Sequence, residues 1–288
     1  MPYDATLVGQ TTQPIRHEVD ARWIMAHAAG LNDFNPAYLH TDRAKVVAHP
    51  LFPVCLEWPS VLGSRRLPGC DALTPEEAAR SVHAAHDLHI LRPIAAGETL
   101  TTQATVTGLE AIKPGVALTT RLDTCGADGE LVARTWQLGI ARGVALNGAE
   151  RACETPPPQP SLSSPWRQPQ RFPIPVAVNA AHVYTECARI WNPIHTDRRV
   201  ALEAGLPDII LHGTATLALA VSKLVDEFLD ARPNRVRRIG GRFRAMVLMP
   251  STLVLEVRGQ SADTLFFQVL TANGEPAVSQ GFLSHGGA

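Results

Sequence analysis

Four short motifs occur twice in this chain, in the same order, on either side of a proline-rich stretch. Asn35-Pro36 with His40-Thr41-Asp42-Arg43 is answered by Asn192-Pro193 with His195-Thr196-Asp197-Arg198, and Val47-Ala48-His49-Pro50 by Ile210-Leu211-His212-Gly213. Further on, Gly97-Glu98-Thr99-Leu100 is answered by Pro250-Ser251-Thr252-Leu253, and Asp128-Gly129-Glu130 by Asn273-Gly274-Glu275. The spacing is 157 residues from Asn35 to Asn192, 163 from His49 to His212, 153 from Leu100 to Leu253 and 145 from Gly129 to Gly274. Loops of different length produce such a drift, so the ordered recurrence restricts the chain to a duplicated fold.

Thr155-Pro156-Pro157-Pro158-Gln159-Pro160-Ser161, followed by Pro165, Pro169, Pro173 and Pro175, separates the two copies. A run that lacks this many backbone donors reads as an extended connector. The expected division is therefore 1–153, a connector over 154–175, and 176–288. A length of 288 residues is enough for two cores, and 45% apolar with 18% charged residues is an ordinary globular composition. With 26 basic against 27 acidic side chains there is no global field to recruit nucleic acid or an anionic membrane. No apolar run approaches the roughly 20 residues needed to cross a bilayer, and Met1-Pro2-Tyr3-Asp4 does not open a signal peptide. A cytoplasmic location is expected. Cys55, Cys70, Cys125, Cys153 and Cys187 are odd in number and widely scattered, which reads as reduced thiols.

Each half shows a polar loop, an apolar helix and then strands. In the second half the helix is predicted over Thr214 to Leu229. Leu217, Leu219, Val221, Leu224, Val225, Phe228 and Leu229 spread around most of its circumference, as in a helix buried on nearly every side. Strands are predicted at Arg242 to Val247, Leu253 to Val257 and Leu265 to Leu270, with Asn273-Gly274 as a hairpin turn. The first half repeats them at Leu100 to Thr107, Val116 to Thr124 and Leu131 to Ile140, with Asp128-Gly129 as the turn. Its helix, Leu51 to Leu62, contains Pro53 and Pro59 and is expected to be shorter or kinked. The predicted fold class is α+β, a double hotdog: a long helix cradled by an antiparallel sheet, twice, as an intrachain pseudo-dimer.

The chemistry-bearing residues concentrate in the second half. Asn192-Pro193-Ile194-His195 presents an imidazole from a turn, and a histidine can take or give a proton near neutrality. Gly213 opens the buried helix, where a first-turn N–H lacks an intrahelical partner and can polarise a carbonyl with the helix dipole behind it. His83, His86 and His89 recur at every third residue, but without a carboxylate or cysteine cluster at ligand spacing no metal is expected. Five arginines, Arg235, Arg237, Arg238, Arg242 and Arg244, fall on a predicted loop and the strand after it. They read either as solvated charge or as donors to phosphates. No Gly-rich phosphate loop or nucleophile elbow competes.

Taken together, Ile190-Trp191-Asn192-Pro193-Ile194-His195, Gly213, His49-Pro50-Leu51-Phe52-Pro53 and Arg92-Pro93-Ile94-Ala95-Ala96-Gly97-Glu98 resemble the MaoC-like dehydratases and (R)-specific enoyl-CoA hydratases in their fused form, with a degenerate first half. The resemblance implies hydration of 2-enoyl thioesters, or dehydration of (R)-3-hydroxyacyl thioesters, with coenzyme A as part of the substrate and no redox cofactor or metal. It implies His195 as the proton-handling residue, Asn192 as a brace of the loop, Gly213 as the oxyanion donor, and Trp191, His212, Arg242 and Arg244 as substrate contacts. Homodimers of such chains are compatible with it.

One position departs from the family pattern, Asp-x-Asn-Pro-x-His, because Ile190 stands where the family has aspartate. Glu186 would share a face with position 190 if that stretch is helical. Asp33 is the other candidate acid, since Asp33-Phe34-Asn35-Pro36 keeps the first half of the pattern while Tyr38, or His40 with two residues inserted, stands in the histidine's place. Otherwise His195 works alone, or the chain is an acyl-thioester-binding or scaffold subunit. A thioesterase is a third reading, and no carboxylate is assigned to it.

Overall fold

The computed structural model describes residues 2–70, 73, 74, 76, 77 and 80–287. The chain packs as two compact units, one of residues 1–17, 56–89 and 99–159, the other of residues 18–55, 90–98 and 160–288. These units are not the sequence halves. Residues 18–55, which precede the proline-rich stretch, pack with the second half, because helix α1 (Ala21–Gly30) lies against α4 (Ala180–Ala188). The contact is close: a Cβ on Gly30 would stand 2.8 Å from the Cys187 Cβ.

Strand order reveals the duplication directly. The first-half strands are β1 (Ile15–Val19), β2 (Ser81–Ile90), β3 (Glu98–Ile112), β4 (Gly115–Cys125) and β5 (Leu131–Arg142). The second-half strands are β6 (Gln170–Val176), β7 (Val236–Phe243), β8 (Ser251–Ser261), β9 (Thr264–Leu270) and β10 (Pro276–His285). The first set is ordered β1-β3-β4-β5-β2 and the second β6-β8-β9-β10-β7, so corresponding strands hold corresponding places. The β4–β5 and β9–β10 turns are also alike. Gly126 and Gly129 N–H donate to the Glu130 and Gly126 carbonyls; Thr271 and Gly274 N–H donate to those of Glu275 and Thr271. Gly129 and Gly274 adopt φ of +83° and +80°, a region that favours glycine.

Each sheet has its helix. Helix α6 (Gly213–Phe228) lies against β6, β9 and β10 and buries Leu217, Val221 and Leu224 completely. Each such side chain contributes about 1.5–3 kcal/mol by leaving water. The first-half helix α3 (Pro53–Ser64) is intact: Pro53 takes its first position, where no donor is needed, and Pro59 lies within it. It is shorter than α6, as expected, but Pro53 does not interrupt it.

Two predicted segments fall differently, and one strand lies where none is predicted. The strand expected at Arg242 to Val247 ends at Phe243 and begins at Val236; register shifts between Val236 and Arg238 and between Gly240 and Arg242 break the alternation that would have revealed it. Arg235, Arg237 and Arg238 therefore lie at or in a strand, with Arg238 over the Phe282 ring. The connector also ends early, since Gln170–Val176 pairs along β8 with Pro173 and Pro175 in an edge strand, the place that tolerates missing donors. Finally, β2 carries the three spaced histidines. His83 and His86 pack ring to ring, and burial draws them down to about 3 and about 4.

The first unit buries the carboxyls of Glu57 and Asp87. Glu57 on α3 is 3% exposed and accepts a hydrogen bond from the Thr135 hydroxyl, and burial pushes its pKa up to about 8. The folded state thus favours the neutral acid, so Glu57's contribution is intact below about pH 4.5 and is lost as pH rises towards 8. Glu57→Gln is expected to raise the thermal midpoint by on the order of 5–10 °C at pH 9 and to change it little at pH 4, as read by circular dichroism melts at both pH values.

Candidate active site

The site is built where α4 stops. Arg189 enters the left-handed region at φ 57°, with its N–H directed to the Thr185 and Glu186 carbonyls, and Ile190 N–H reaches the Thr185 carbonyl at 3.1 Å. The Arg189 guanidinium covers the Trp23 ring of α1 at 3.9 Å, which fixes the turn against its neighbour. From there the chain passes buried Ile190 and exposed Trp191 into a 3-10 turn, Pro193–His195, closed by His195 N–H on the Asn192 carbonyl. Asp197 then caps α5 (Arg198–Glu203), accepting from Arg199 and Val200 N–H.

That turn delivers His195 into a buried position, 9% exposed. Its Nδ1 lies 2.8 Å from the Ile210 carbonyl, which can only accept, so Nδ1 carries the proton and Nε2 keeps a lone pair. The ring stacks on His212, the residue before α6, with centroids 3.6 Å apart and planes 26° from parallel. Two positive charges at that separation would repel by about 4–5 kcal/mol at an effective dielectric near 20. Burial draws His195 down to about 4, with the Ile210 carbonyl opposing. His212 is held well below its ordinary value by burial and then by His195, against the pull of the Ile190 carbonyl. At neutral pH His195 is a neutral base rather than a group poised between two forms, as its ordinary value had implied.

Thr185 completes this arrangement. Its Oγ1 lies 3.2 Å from His212 Nε2, and Tyr184 beside it donates to the Thr214 hydroxyl at 3.3 Å while its ring lies 5.0 Å from that of His212. Gly213 opens α6 directly after His212, so its backbone adjoins the stacked pair. A Cβ there would meet the Phe243 ring at 2.9 Å, which gives this glycine a packing reason of its own.

The other predicted residues are dispersed. Helix α4 ends at Ala188, so Glu186 and Ile190 do not share a helix face. Instead Glu186 accepts from the Trp191 indole N–H at 3.4 Å, at the rim of a surface pocket of about 280 Å³ that Asn192, Thr185 and His182 also line. Asn192 makes no side-chain cap bond, and what holds the turn is its backbone carbonyl. Asp33 lies elsewhere. Its carboxylate accepts Asn35 N–H, and Asn35 in turn donates to the Ala231 carbonyl, beyond the far end of α6. A helix of 16 residues separates that end from His212 by roughly 24 Å. Arg242 and Arg244 are exposed on either side of Phe243, and Arg244 reaches the Ser279 hydroxyl at 3.4 Å. Among the described residues, no three His, Cys, Asp or Glu side chains converge as metal ligands.

Sequence reasoning missed Thr185 and Tyr184. Nothing in their local sequence marks them, and the repeat supplies only a hint: His27 stands 157 residues before Tyr184, the spacing that relates Asn35 to Asn192, and the two rings lie 6.0 Å apart.

Comparison with known proteins bears on the family and the fold. The family pattern described as "MaoC like domain" matches residues 162–277, and that of the "FAS1-like, dehydratase domain region" matches residues 6–135. The second half thus carries a MaoC-like domain and the first a FAS1-like dehydratase region. A MaoC-like dehydratase from Phytophthora capsici superposes with a TM-score of 0.81 at 21% identity, covering 98% of this chain and 96% of that one, so the double-hotdog fold is shared. Arabidopsis thaliana "Enoyl-CoA hydratase 2, peroxisomal" is 24% identical over 265 residues, 84% of this chain and 82% of that protein. Drosophila melanogaster "Peroxisomal multifunctional enzyme type 2" is 24% identical over 279 residues, 92% of this chain but 45% of that protein. Among the described residues no helix is long and apolar enough to cross a membrane.

Proposed function

We propose that this MaoC-like chain is a lyase that hydrates 2-enoyl thioesters, or dehydrates (R)-3-hydroxyacyl thioesters, with coenzyme A as the carrier. The observation that carries the reading is His195: a buried imidazole whose Nδ1–H is fixed on the Ile210 carbonyl, leaving Nε2 basic beside the N-terminus of α6. In hydration, Nε2 takes a proton from water as the water oxygen bonds to C3. The electron pair of the double bond moves towards the thioester oxygen, where the Gly213 N–H stabilises the enolate. The imidazolium then returns the proton to C2. One base suffices if the proton taken is the proton returned, which is how the site works without a carboxylate at Ile190. The reaction needs no metal or redox cofactor. We also propose that the repeat boundary lies within 154–175 and that the protein works in the cytoplasm, as a dimer of such chains.

Spectrophotometric hydration of crotonyl-CoA and longer 2-enoyl-CoAs tests the activity. Because the neutral imidazole is the active form, kcat/KM is expected to stay level from pH 6 to 8 and to fall only as pH approaches about 4. A profile falling below pH 7 would show that the base titrates near an ordinary imidazole value, and its loss in His195→Ala would decide whether that base is His195.

The buried, apolar Ile190 favours a second reading, an acyl-thioester-binding subunit without turnover. The assay separates the two directly.

A further inference from the structure

Resting on the reading of His195 as the base, we propose that Thr185 and His212 form a positioning pair that holds His195 in its reactive tautomer and place, Thr185 acting entirely through the His212 ring. Thr185 is 3% exposed and makes two attachments of different kinds. Its backbone carbonyl receives Arg189 and Ile190 N–H and so fixes where the loop leaves α4. Its hydroxyl meets His212 Nε2 at 3.2 Å. His212 is thereby anchored at one ring nitrogen and presents a flat face 3.6 Å from His195.

The described hydrogen bond of the His195 ring is the one on Nδ1, and that bond alone leaves the ring free to rock about it. The stacked face removes this freedom. Holding a reacting group within a fraction of an ångström is worth one to two orders of magnitude in rate. Burial keeps both rings neutral, and a charge on His195 would further disfavour one on His212.

The remaining titratable groups around the pair are few. Helix α4 supplies Tyr184, packed on His212, and Glu186 and His182 at the surface pocket, His182 Nε2 lying 3.1 Å from the Thr196 carbonyl. Helix α1 supplies His27, beyond Tyr184. The segment before α6 supplies Asp208, engaged by Arg198. None of these offers His195 a stacked face, so the role falls to His212.

Two measurements on Thr185→Val, Thr185→Ser and His212→Phe test the pair. Nitrogen-15 spectra of the histidine rings across pH 3–8 report the tautomer and midpoint of His195 without any need for substrate. Initial rates on crotonyl-CoA report kcat and KM. Thr185→Val is expected to move the His195 midpoint upward towards 6.5 and to mix its tautomers, with kcat down about tenfold and KM within twofold. Thr185→Ser, which keeps the hydroxyl, is expected to restore both readouts to within about twofold of the parent. His212→Phe, which keeps a flat face but not the anchor, should resemble Thr185→Val and serves in its place if that variant does not fold. An unmoved His195 midpoint in both Thr185→Val and His212→Phe overturns the proposal. So does a rise in KM that accounts for the whole loss, which would make Thr185 a substrate contact. If the parent protein shows no hydration at all, the lyase reading fails, and the ring spectra alone decide whether the pair holds His195.

Discussion

His195→Ala is expected to lower crotonyl-CoA hydration by about a hundred- to ten-thousand-fold, the usual effect of removing a general acid or base. The loss should appear in kcat and kcat/KM together, because the imidazole handles a proton that moves only in the transition state. Ground-state binding of the thioester should change little. Stability should fall by roughly 1–3 kcal/mol, since the variant leaves the Ile210 carbonyl without its donor and one face of His212 uncovered at a buried site. A variant that retains more than about a tenth of the parent rate would show that another group takes the proton.

The second large effect runs in the opposite direction. Ile190→Asp is expected to raise kcat/KM by about ten- to a hundredfold, because a carboxylate at this position gives the water a second acceptor and shares the proton traffic. Its placement is favourable: the Ile190 N–H is fixed on the Thr185 carbonyl and its own carbonyl acts on His212, so the new side chain would start from a held backbone beside the stacked rings. Ile190 is 5% exposed, and an acid in its place costs roughly 1–3 kcal/mol in stability, which a melt would register. Turnover gained by Ile190→Asp from a parent with none would mean that the native chain binds acyl thioesters without converting them. An unchanged, measurable rate in both would mean that His195 works alone and that position 190 lies outside the reaction.

Much of the fold was legible because it is written in periodic terms. The apolar residues from Leu217 to Val225 recur as a buried helix requires, and α6 begins and ends within one residue of its expected bounds. The hairpins at Gly129 and Gly274 were legible because a positive φ calls for glycine, and the two are closed by the same pair of hydrogen bonds. Strand β7 was misplaced because its bulges destroy the two-residue period, and β6 because prolines in an edge strand look like those of a connector. Helices α1 and α4 passed without notice. Their close approach needs Gly30, whose missing Cβ makes room for Cys187, and a single absent methyl has no signature in sequence.

The candidate site divides in the same way. By itself the sequence determined that the fold is duplicated, that the second half carries the Asn-Pro-x-His turn and the helix-opening glycine, and that position 190 lacks its acid. These are matters of residue type and order. Only the tertiary structure decided which groups meet. Asp33 was drawn away to the far end of α6 by the bond from Asn35 to the Ala231 carbonyl, and Glu186 was turned outward because α4 stops at Ala188. His195 is a buried, neutral imidazole held on the Ile210 carbonyl, and α6 begins where it puts His212 against that ring, with Thr185 behind. Burial and a stacking distance set the protonation state of an imidazole, and both depend on elements that the chain brings together from positions far apart.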